Sequence, residues 1–167
     1  TMIFEKTKIV PYGTTGGLET VAVRMPSHPA ARAVIDAGGG YIAAPSANTS
    51  GRPSPTRAEH VAEDLDGRIE MIVDGGPVEI GVESTILDMT VTPPMILRPG
   101  AVTREMLEEL IGEVAVDQTL LKADSRTAPK APGMKYRHYA PKANLVVVEG
   151  EVEKVTAWIR ETAATKQ

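Results

Sequence analysis

The chain has 167 residues, of which 42% are hydrophobic, 24% charged and 4% aromatic, and its net charge is −4. This composition supports a core of mainly aliphatic side chains and excludes a chain that is disordered throughout. The negative charge argues against binding to nucleic acid by bulk charge alone, and the lack of cysteine excludes thiolate catalysis, disulfides and cysteine-ligated zinc. No apolar run approaches the ~20 residues that cross a membrane, so we expect no membrane partner and a cytoplasmic location.

The first third of the chain predicts alternating strands and helices. Strand-like runs lie at residues 2–4 and 20–24. Pro29 favours the first position of a helix that runs to about Ala37 and ends at three glycines. Residues 41–44 are short, apolar and followed by proline, which predicts a buried strand.

The stretch APSANTSGRPSPT, residues 44–56, carries five hydroxyls, three prolines, one arginine and no acid. Hydroxyls and turn N–H groups bind phosphate or carboxylate oxygens, and α/β sheets place ligands where a strand leads into a helix. Ser46 and Ser54 are then the best candidate donors, and Asn48 fixes the loop or a ligand amide. The alternative is a rigid turn that only caps the next helix. It is not a Walker loop, because the Gly-Lys-Ser/Thr ending is absent.

Thr56 and Glu59 predict a capping box that starts a helix to about Leu65. Thr103 and Gly112 predict the start and end of a helix over residues 104–111. The remaining strand-like runs are residues 71–73, 84–87 and 95–97. Several consecutive strands mixed with helices indicate an α/β or α+β fold with a mixed sheet.

Arg24 and Arg98 both follow apolar strand-like runs, and a guanidinium in that position can bind an anion through two parallel hydrogen bonds. Ser84 and Thr85 add two hydroxyls at the start of a predicted strand. The alternatives are surface arginines at turns and an ordinary hairpin entry.

The segment PGMKYRHYAP, residues 132–141, places two tyrosines, one histidine and two basic side chains within ten residues. It predicts either a lid over a nucleotide, because aromatics stack on bases and cations meet phosphate, or an inert tether. His28 and His60 are interpreted as structural, and no local spacing predicts a metal site.

Four segments then occur in order: SANTSG with PSPT, GVEST, LRPG and PGMKYRHYAP. With them the chain resembles the two-domain form of the YrdC-like family of threonylcarbamoyl-AMP synthases. The resemblance implies a twisted mixed α/β sheet, an extended linker, and the first βα unit of a Rossmann-like second domain. We expect these three parts at residues 1–116, 117–142 and 143–167.

The resemblance also implies the reaction. L-threonine, bicarbonate and ATP, with Mg²⁺ carried by ATP, give threonylcarbamoyl-AMP and pyrophosphate. The product then passes to the transferase complex that makes threonylcarbamoyladenosine in tRNA, and direct contact with tRNA is an open expectation.

The family's site residues carry over to matching positions of this sequence. The resemblance implies that L-threonine contacts Arg24, Ser84 and the backbone of Ala44. It implies no acid–base residue and no protein-bound metal, since the protein positions reactants and stabilises charge. The implied ATP contacts are Thr20, Ser46, Ser54, Arg98 and either Tyr136 or His138.

The family also has an N-terminal part, with a lysine and an arginine for the triphosphate, that has no counterpart here. We therefore expect this chain to be a fragment that alone binds ATP weakly and is inactive. Two other functions stay open: a module that binds tRNA or double-stranded RNA, and a carbamoyl-adenylate transferase of the hydrogenase-maturation type.

Overall fold

The computed structural model describes residues 1–117 and 146–165. Five strands and five helices are found in these ranges. In chain order they are β1 (Met2–Glu5), α1 (Tyr12–Thr15), β2 (Thr20–Val23), α2 (Pro29–Ala37), α3 (Ala58–Leu65), β3 (Ile86–Asp88), β4 (Met95–Arg98), α4 (Arg104–Ile111), β5 (Ala115–Val116) and α5 (Val152–Thr165).

The strands form one mixed sheet in the order β2-β1-β3-β4-β5. β1 pairs antiparallel with β2 and parallel with β3, whereas β4 pairs antiparallel with β3 and parallel with β5. The predicted mixed α/β sheet is therefore confirmed. This order places the first residues of β1 and β3 beside the last residues of β2 and β4, at one end of the sheet.

The core lies on both faces of the central strands. Ile3, Ile86 and Leu97 form one buried cluster, and a second contains Leu87, Ile96 and Val114. Neighbouring residues of β3 and β4 belong to different clusters because successive side chains of a strand point to opposite faces. Leu107 of α4 packs against the second cluster, which fixes this helix on the sheet.

Two helices begin as the sequence predicts. Pro29 is the first residue of α2, and the N–H of Ala30 donates to His28 Nδ1 at 3.2 Å, which gives His28 the structural role expected of it. At the start of α4 the N–H of Met106 donates to Thr103 Oγ1 at 3.3 Å. These side chains satisfy N–H groups that have no partner within their own helix.

The predicted capping box at the start of α3 is wrong. Arg57 is the capping residue, and its side chain makes no cap hydrogen bond. The N–H of Thr56 instead donates to His60 Nδ1 at 3.2 Å. His60 therefore braces the turn before α3, in agreement with a structural role, and takes the place predicted for Glu59.

The strands predicted at residues 41–44 and 71–73 are also wrong, because neither run pairs with a strand in the described part of the chain. Tyr41 is 86% exposed and Met71 is 76% exposed. A short apolar run becomes a strand only when a neighbour supplies hydrogen-bond partners, and here none does. β3 begins at Ile86, two residues later than predicted.

Near the end of the chain, α5 confirms the predicted helix. Residues 144–148 are the apolar run that would form the strand of the βα unit expected at residues 143–167. No strand is formed at residues 146–148, and residues 144 and 145 lie outside the described ranges. Within residues 1–117 and 146–165, no helix has both the length and the apolar character needed to cross a membrane.

Candidate functional site

Four residues from four separate strand ends meet at one end of the sheet. Thr1 precedes β1, Arg24 follows β2, Ser84 lies just before β3, and Arg98 ends β4. The register brings them together, because Met2 lies opposite both Val23 and Leu87, and Arg98 is paired with Ile86. We call Thr1, Arg24, Ser84 and Arg98 the strand-end cluster.

Ser84 is the centre of this cluster. Its Oγ lies 2.8 Å from Thr1 Oγ1 and accepts a 2.5 Å hydrogen bond from Arg24 Nη2. Arg24 Nε also donates to Thr1 Oγ1 at 3.3 Å. An exposed guanidinium therefore lies over two neighbouring hydroxyls, a set of donors suited to a carboxylate.

Arg98 approaches Ser84 from the opposite strand. Its Nε and Nη2 donate to the carbonyl oxygen of Ser84 at 3.1 and 2.9 Å, and Nη2 lies 3.4 Å from Ser84 Oγ. The Arg98 side chain is half-buried, and its two hydrogen bonds to the Ser84 carbonyl oxygen fix its orientation. Two arginines therefore contact Ser84: Arg24 binds its hydroxyl, and Arg98 binds mainly its carbonyl oxygen.

The backbone around Ser84 is itself held in place. Thr85 is buried, and its Oγ1 donates to the carbonyl oxygen of Val102 at 2.7 Å. Gly100 packs so closely that a Cβ there would lie 2.4 Å from the Thr85 nitrogen and 2.5 Å from the Glu83 oxygen. A glycine in the LRPG segment is therefore required by the close approach of two backbone segments.

The electrostatics of the cluster favour a negative ligand. The guanidiniums of Arg24 and Arg98 both lie within hydrogen-bond distance of Ser84, which places two positive charges at one residue. A site that disfavours a cation through two nearby guanidiniums stabilises an anion by the same interaction.

The hydroxyl loop spans residues 44–56, and its residues 52–56 form one wall of a separate groove. This groove has a volume of about 340 Å³, and Ser54, Thr56, His60 and Gly81 are among its lining residues. The loop turns sharply at residues 48–52, where Asn48 Nδ2 donates to the carbonyl oxygens of Thr49 and Arg52 at 2.9 and 3.2 Å. The hydroxyl loop therefore has a defined shape next to a cavity.

The structure brings some of the predicted site residues together and places others apart. Arg24, Ser84 and Arg98 are brought together, and Ser54 is half-buried in the groove. Ala44 and Ser46 are exposed near the start of the hydroxyl loop, whereas Thr20 is at the opposite end of β2 from Arg24. Tyr136 and His138 lie outside the described residues.

Two further residues belong to these sites, and neither was predicted from the sequence. Thr1 contributes a hydroxyl to the cluster, and its only sequence signal is its place before a strand. Asp64, a carboxylate on α3, accepts hydrogen bonds from the hydroxyl loop. Within the described ranges, no group of three or more His, Asp and Glu side chains could hold a metal ion.

Two family models match the chain. The Sua5/YciO/YrdC model, described as "Telomere recombination", matches residues 1–100. A second model, described as "Threonylcarbamoyl-AMP synthase, C-terminal domain", matches residues 102–167.

Curated relatives agree with these matches. The threonylcarbamoyl-AMP synthase of Pyrococcus abyssi is 53% identical over 164 residues, which cover 98% of this chain and 48% of that protein. The Bacillus subtilis protein of the same name is 57% identical over 147 residues, covering 88% of this chain and 42% of the relative. The chain therefore spans about half the length of the curated relatives it matches.

A solved structure extends the similarity to the fold. The crystal structure of P. abyssi Sua5 complexed with L-threonine superposes with a TM-score of 0.88 at 52% identity, over 98% of this chain and 48% of that one. Together with the match over residues 1–100, this shows that the chain belongs to the Sua5/YciO/YrdC family.

Proposed function

We propose that this chain is part of an L-threonylcarbamoyladenylate synthase, a nucleotidyltransferase. Its reaction is L-threonine, bicarbonate and ATP giving threonylcarbamoyl-AMP and pyrophosphate. The observation that carries the proposal is the strand-end cluster, where Arg24 and Arg98 flank Ser84 and favour an anion. The relative whose structure was solved with L-threonine has the same fold over this chain.

L-threonine is the ligand that we assign to the Arg24 side of the cluster. Its carboxylate would take the place that Ser84 Oγ now occupies beside the Arg24 guanidinium, at 2.5 Å. The Ser84 hydroxyl would then donate to the same carboxylate or to the threonine hydroxyl. The backbone of Ala44, at the start of the hydroxyl loop, would supply a further contact.

ATP would lie between Arg98 and the hydroxyl loop. Arg98 is half-buried at the cluster, which suits a contact to phosphate. Ser46, Ser54 and Thr20 would contact other parts of the nucleotide, with Tyr136 or His138 completing the contacts from the segment after residue 117. Mg²⁺ would arrive with ATP as part of the substrate.

The chemistry requires positioning more than acid–base catalysis. The threonine nitrogen and bicarbonate would form N-carboxy-threonine with loss of water. An oxygen of the new carbamate would then attack the α-phosphorus of ATP while the bond to pyrophosphate breaks. Arginines and hydroxyls hold the two reactants in line and stabilise charge on the phosphoryl oxygens. The product would then go to a transferase complex that modifies tRNA.

The test is pyrophosphate formation by the full-length protein, with L-threonine, bicarbonate or ATP omitted in turn. We expect all three to be required. Ser84→Ala and Arg98→Ala should each lower kcat/KM by about 10- to 100-fold, since each removes a direct contact to a charged substrate.

Arg104→Ala is the matched control for the loss of an arginine, because Arg104 pairs with Glu108 on the exposed face of α4. Unchanged rates in the Ser84 and Arg98 variants would remove both residues from the site. Pyrophosphate release by residues 1–167 alone would refute the expectation that this chain is inactive by itself. RNA binding with a steep salt dependence and no effect of ATP would favour a nucleic-acid-binding module instead.

A further inference from the structure

A single carboxylate from α3 holds the hydroxyl loop in place. Asp64 has a side chain only 5% exposed, and both of its oxygens are used. Oδ2 accepts the backbone N–H of Thr49 at 2.9 Å, and Oδ1 accepts from Nη1 of Arg52. The Asp64 carboxylate therefore holds the hydroxyl loop at two points: the backbone N–H of Thr49 and the side chain of Arg52, which is the only cation of the loop.

The turn at residues 48–52 is built around these two contacts. The N–H of Arg52 donates to the carbonyl oxygen of Thr49 at 3.1 Å, and Gly51 adopts a φ of +87°, which closes the turn. Asn48 donates to the same two residues from inside the turn. Because Thr49 and Arg52 are bound to each other and to Asp64, the turn is tied to α3.

This fixed turn leads directly into the groove. Ser54 follows Arg52 by two residues, and both line the cavity of about 340 Å³ together with Asp64. None of the four residues of the strand-end cluster lines this cavity. We therefore expect a change in the turn to act mainly on the Ser54 side of the site, because Arg24 and Ser84 lie outside this cavity.

The charge of Asp64 is the essential property. A carboxylate taken out of water is costly unless a cation and hydrogen bonds compensate it, and a charge-assisted hydrogen bond is about twice as strong as a neutral one. Arg52 supplies the cation, so its guanidinium is held against Asp64 of α3.

We propose that Asp64 is a positioning residue for nucleotide binding, which acts through Arg52 and Thr49 to hold the hydroxyl loop so that Ser54 meets ATP. The inference rests on the proposed function, because ATP is the ligand assigned to this loop. In this role Asp64 acts on ATP indirectly, through the two loop residues that it binds.

Asp64→Asn in the full-length protein tests this role. The amide keeps an oxygen for the Thr49 N–H and keeps the volume of the side chain, but it removes the charge that holds Arg52. We expect the KM for ATP to rise roughly tenfold, the difference between a charge-assisted and a neutral hydrogen bond, while the KM for L-threonine changes less than twofold.

Glu63→Gln is the matched control. Glu63 lies next to Asp64 on α3 and contacts the same arginine, but at 3.6 Å and with a side chain 61% exposed. An exposed contact of this length contributes little, so the KM for ATP should change less than twofold. Should Asp64→Asn fail to fold, Arg52→Gln tests the same pair, because it removes the cation from the other side, and the KM for ATP should again rise roughly tenfold.

Two outcomes would overturn the proposal: an unchanged KM for ATP, or a parallel rise of both KM values with a lower melting temperature, which marks a merely structural role. Hydrogen exchange at Thr49 tests the restraint on the hydroxyl loop separately from the proposed function. Faster exchange at Thr49 in Asp64→Asn supports the restraint on the loop even if the wild-type protein forms no pyrophosphate, and unchanged exchange refutes it.

Discussion

Replacing Gly100 by alanine would force two backbone segments of the site apart. The new Cβ would lie 2.4 Å from the nitrogen of Thr85, 2.5 Å from the oxygen of Glu83 and 2.8 Å from the carbonyl carbon of Ser84. All three are backbone atoms, so no side-chain rotation relieves the contact. Reaching an ordinary van der Waals distance requires a shift of about 1 Å, given optimal carbon contacts of roughly 3.5–4.0 Å.

The size of the effect follows from this displacement. Overpacking of this kind costs about 1–3 kcal/mol, and with a typical urea m-value of about 2 kcal/mol/M the unfolding midpoint falls by roughly 1 M. The shift also pulls the Ser84 carbonyl away from Arg98, which grips it at 2.9 Å, so L-threonine binding should weaken as well.

Urea denaturation and calorimetric titration with L-threonine measure the two effects on the same protein. Gly13→Ala is the control, because a Cβ at Gly13 meets nothing within 4 Å. A Gly100→Ala variant with the stability and threonine affinity of the Gly13→Ala variant would refute the close-approach argument.

Two further predictions concern the segments beside the cluster. Thr85→Val removes the hydrogen bond to the Val102 carbonyl and should lower the free energy of unfolding by about 0.5–1.5 kcal/mol. The control is Thr7→Val at an exposed position, which should change this free energy by less than about 0.5 kcal/mol. Equal free energies of unfolding for the two variants in urea denaturation would contradict this prediction. The pKa of Glu105 is lowered by its backbone hydrogen bond and then by the Thr103 side chain. A carboxylate with a lowered folded-state pKa stabilises the fold above its unfolded pKa, and this stabilisation is lost as the pH falls through the folded pKa. Because Thr103→Ala removes the Thr103 hydrogen bond, it should raise the Glu105 pKa in an NMR titration. An unchanged Glu105 pKa would contradict the assignment.

The elements that the sequence predicted correctly carry local signals. Pro29 and Thr103 mark helix starts, and glycines mark helix ends, because these residues satisfy or avoid backbone requirements of the helix itself. The wrongly predicted strands at residues 41–44 and 71–73 have no such signal. An apolar run of three or four residues becomes a strand through a partner elsewhere in the chain, which periodicity does not report.

The same distinction applies to the candidate site. Arg24 and Arg98 were identified as anion-binding candidates because each follows an apolar strand-like run. Their meeting at Ser84 depends on the order β2-β1-β3-β4, which joins residues 60 positions apart. Asp64 escaped notice because a carboxylate on an amphipathic helix usually faces water, and only the packing of the hydroxyl loop on α3 buries it.

A crystal structure of the full-length protein with L-threonine is the most direct test of the central claim, that the strand-end cluster binds the amino-acid substrate. We predict that the threonine carboxylate lies within hydrogen-bond distance of Arg24 and Ser84, with the 2.5 Å contact between these two side chains opened to admit it. Threonine bound elsewhere, with that contact intact, would contradict the account.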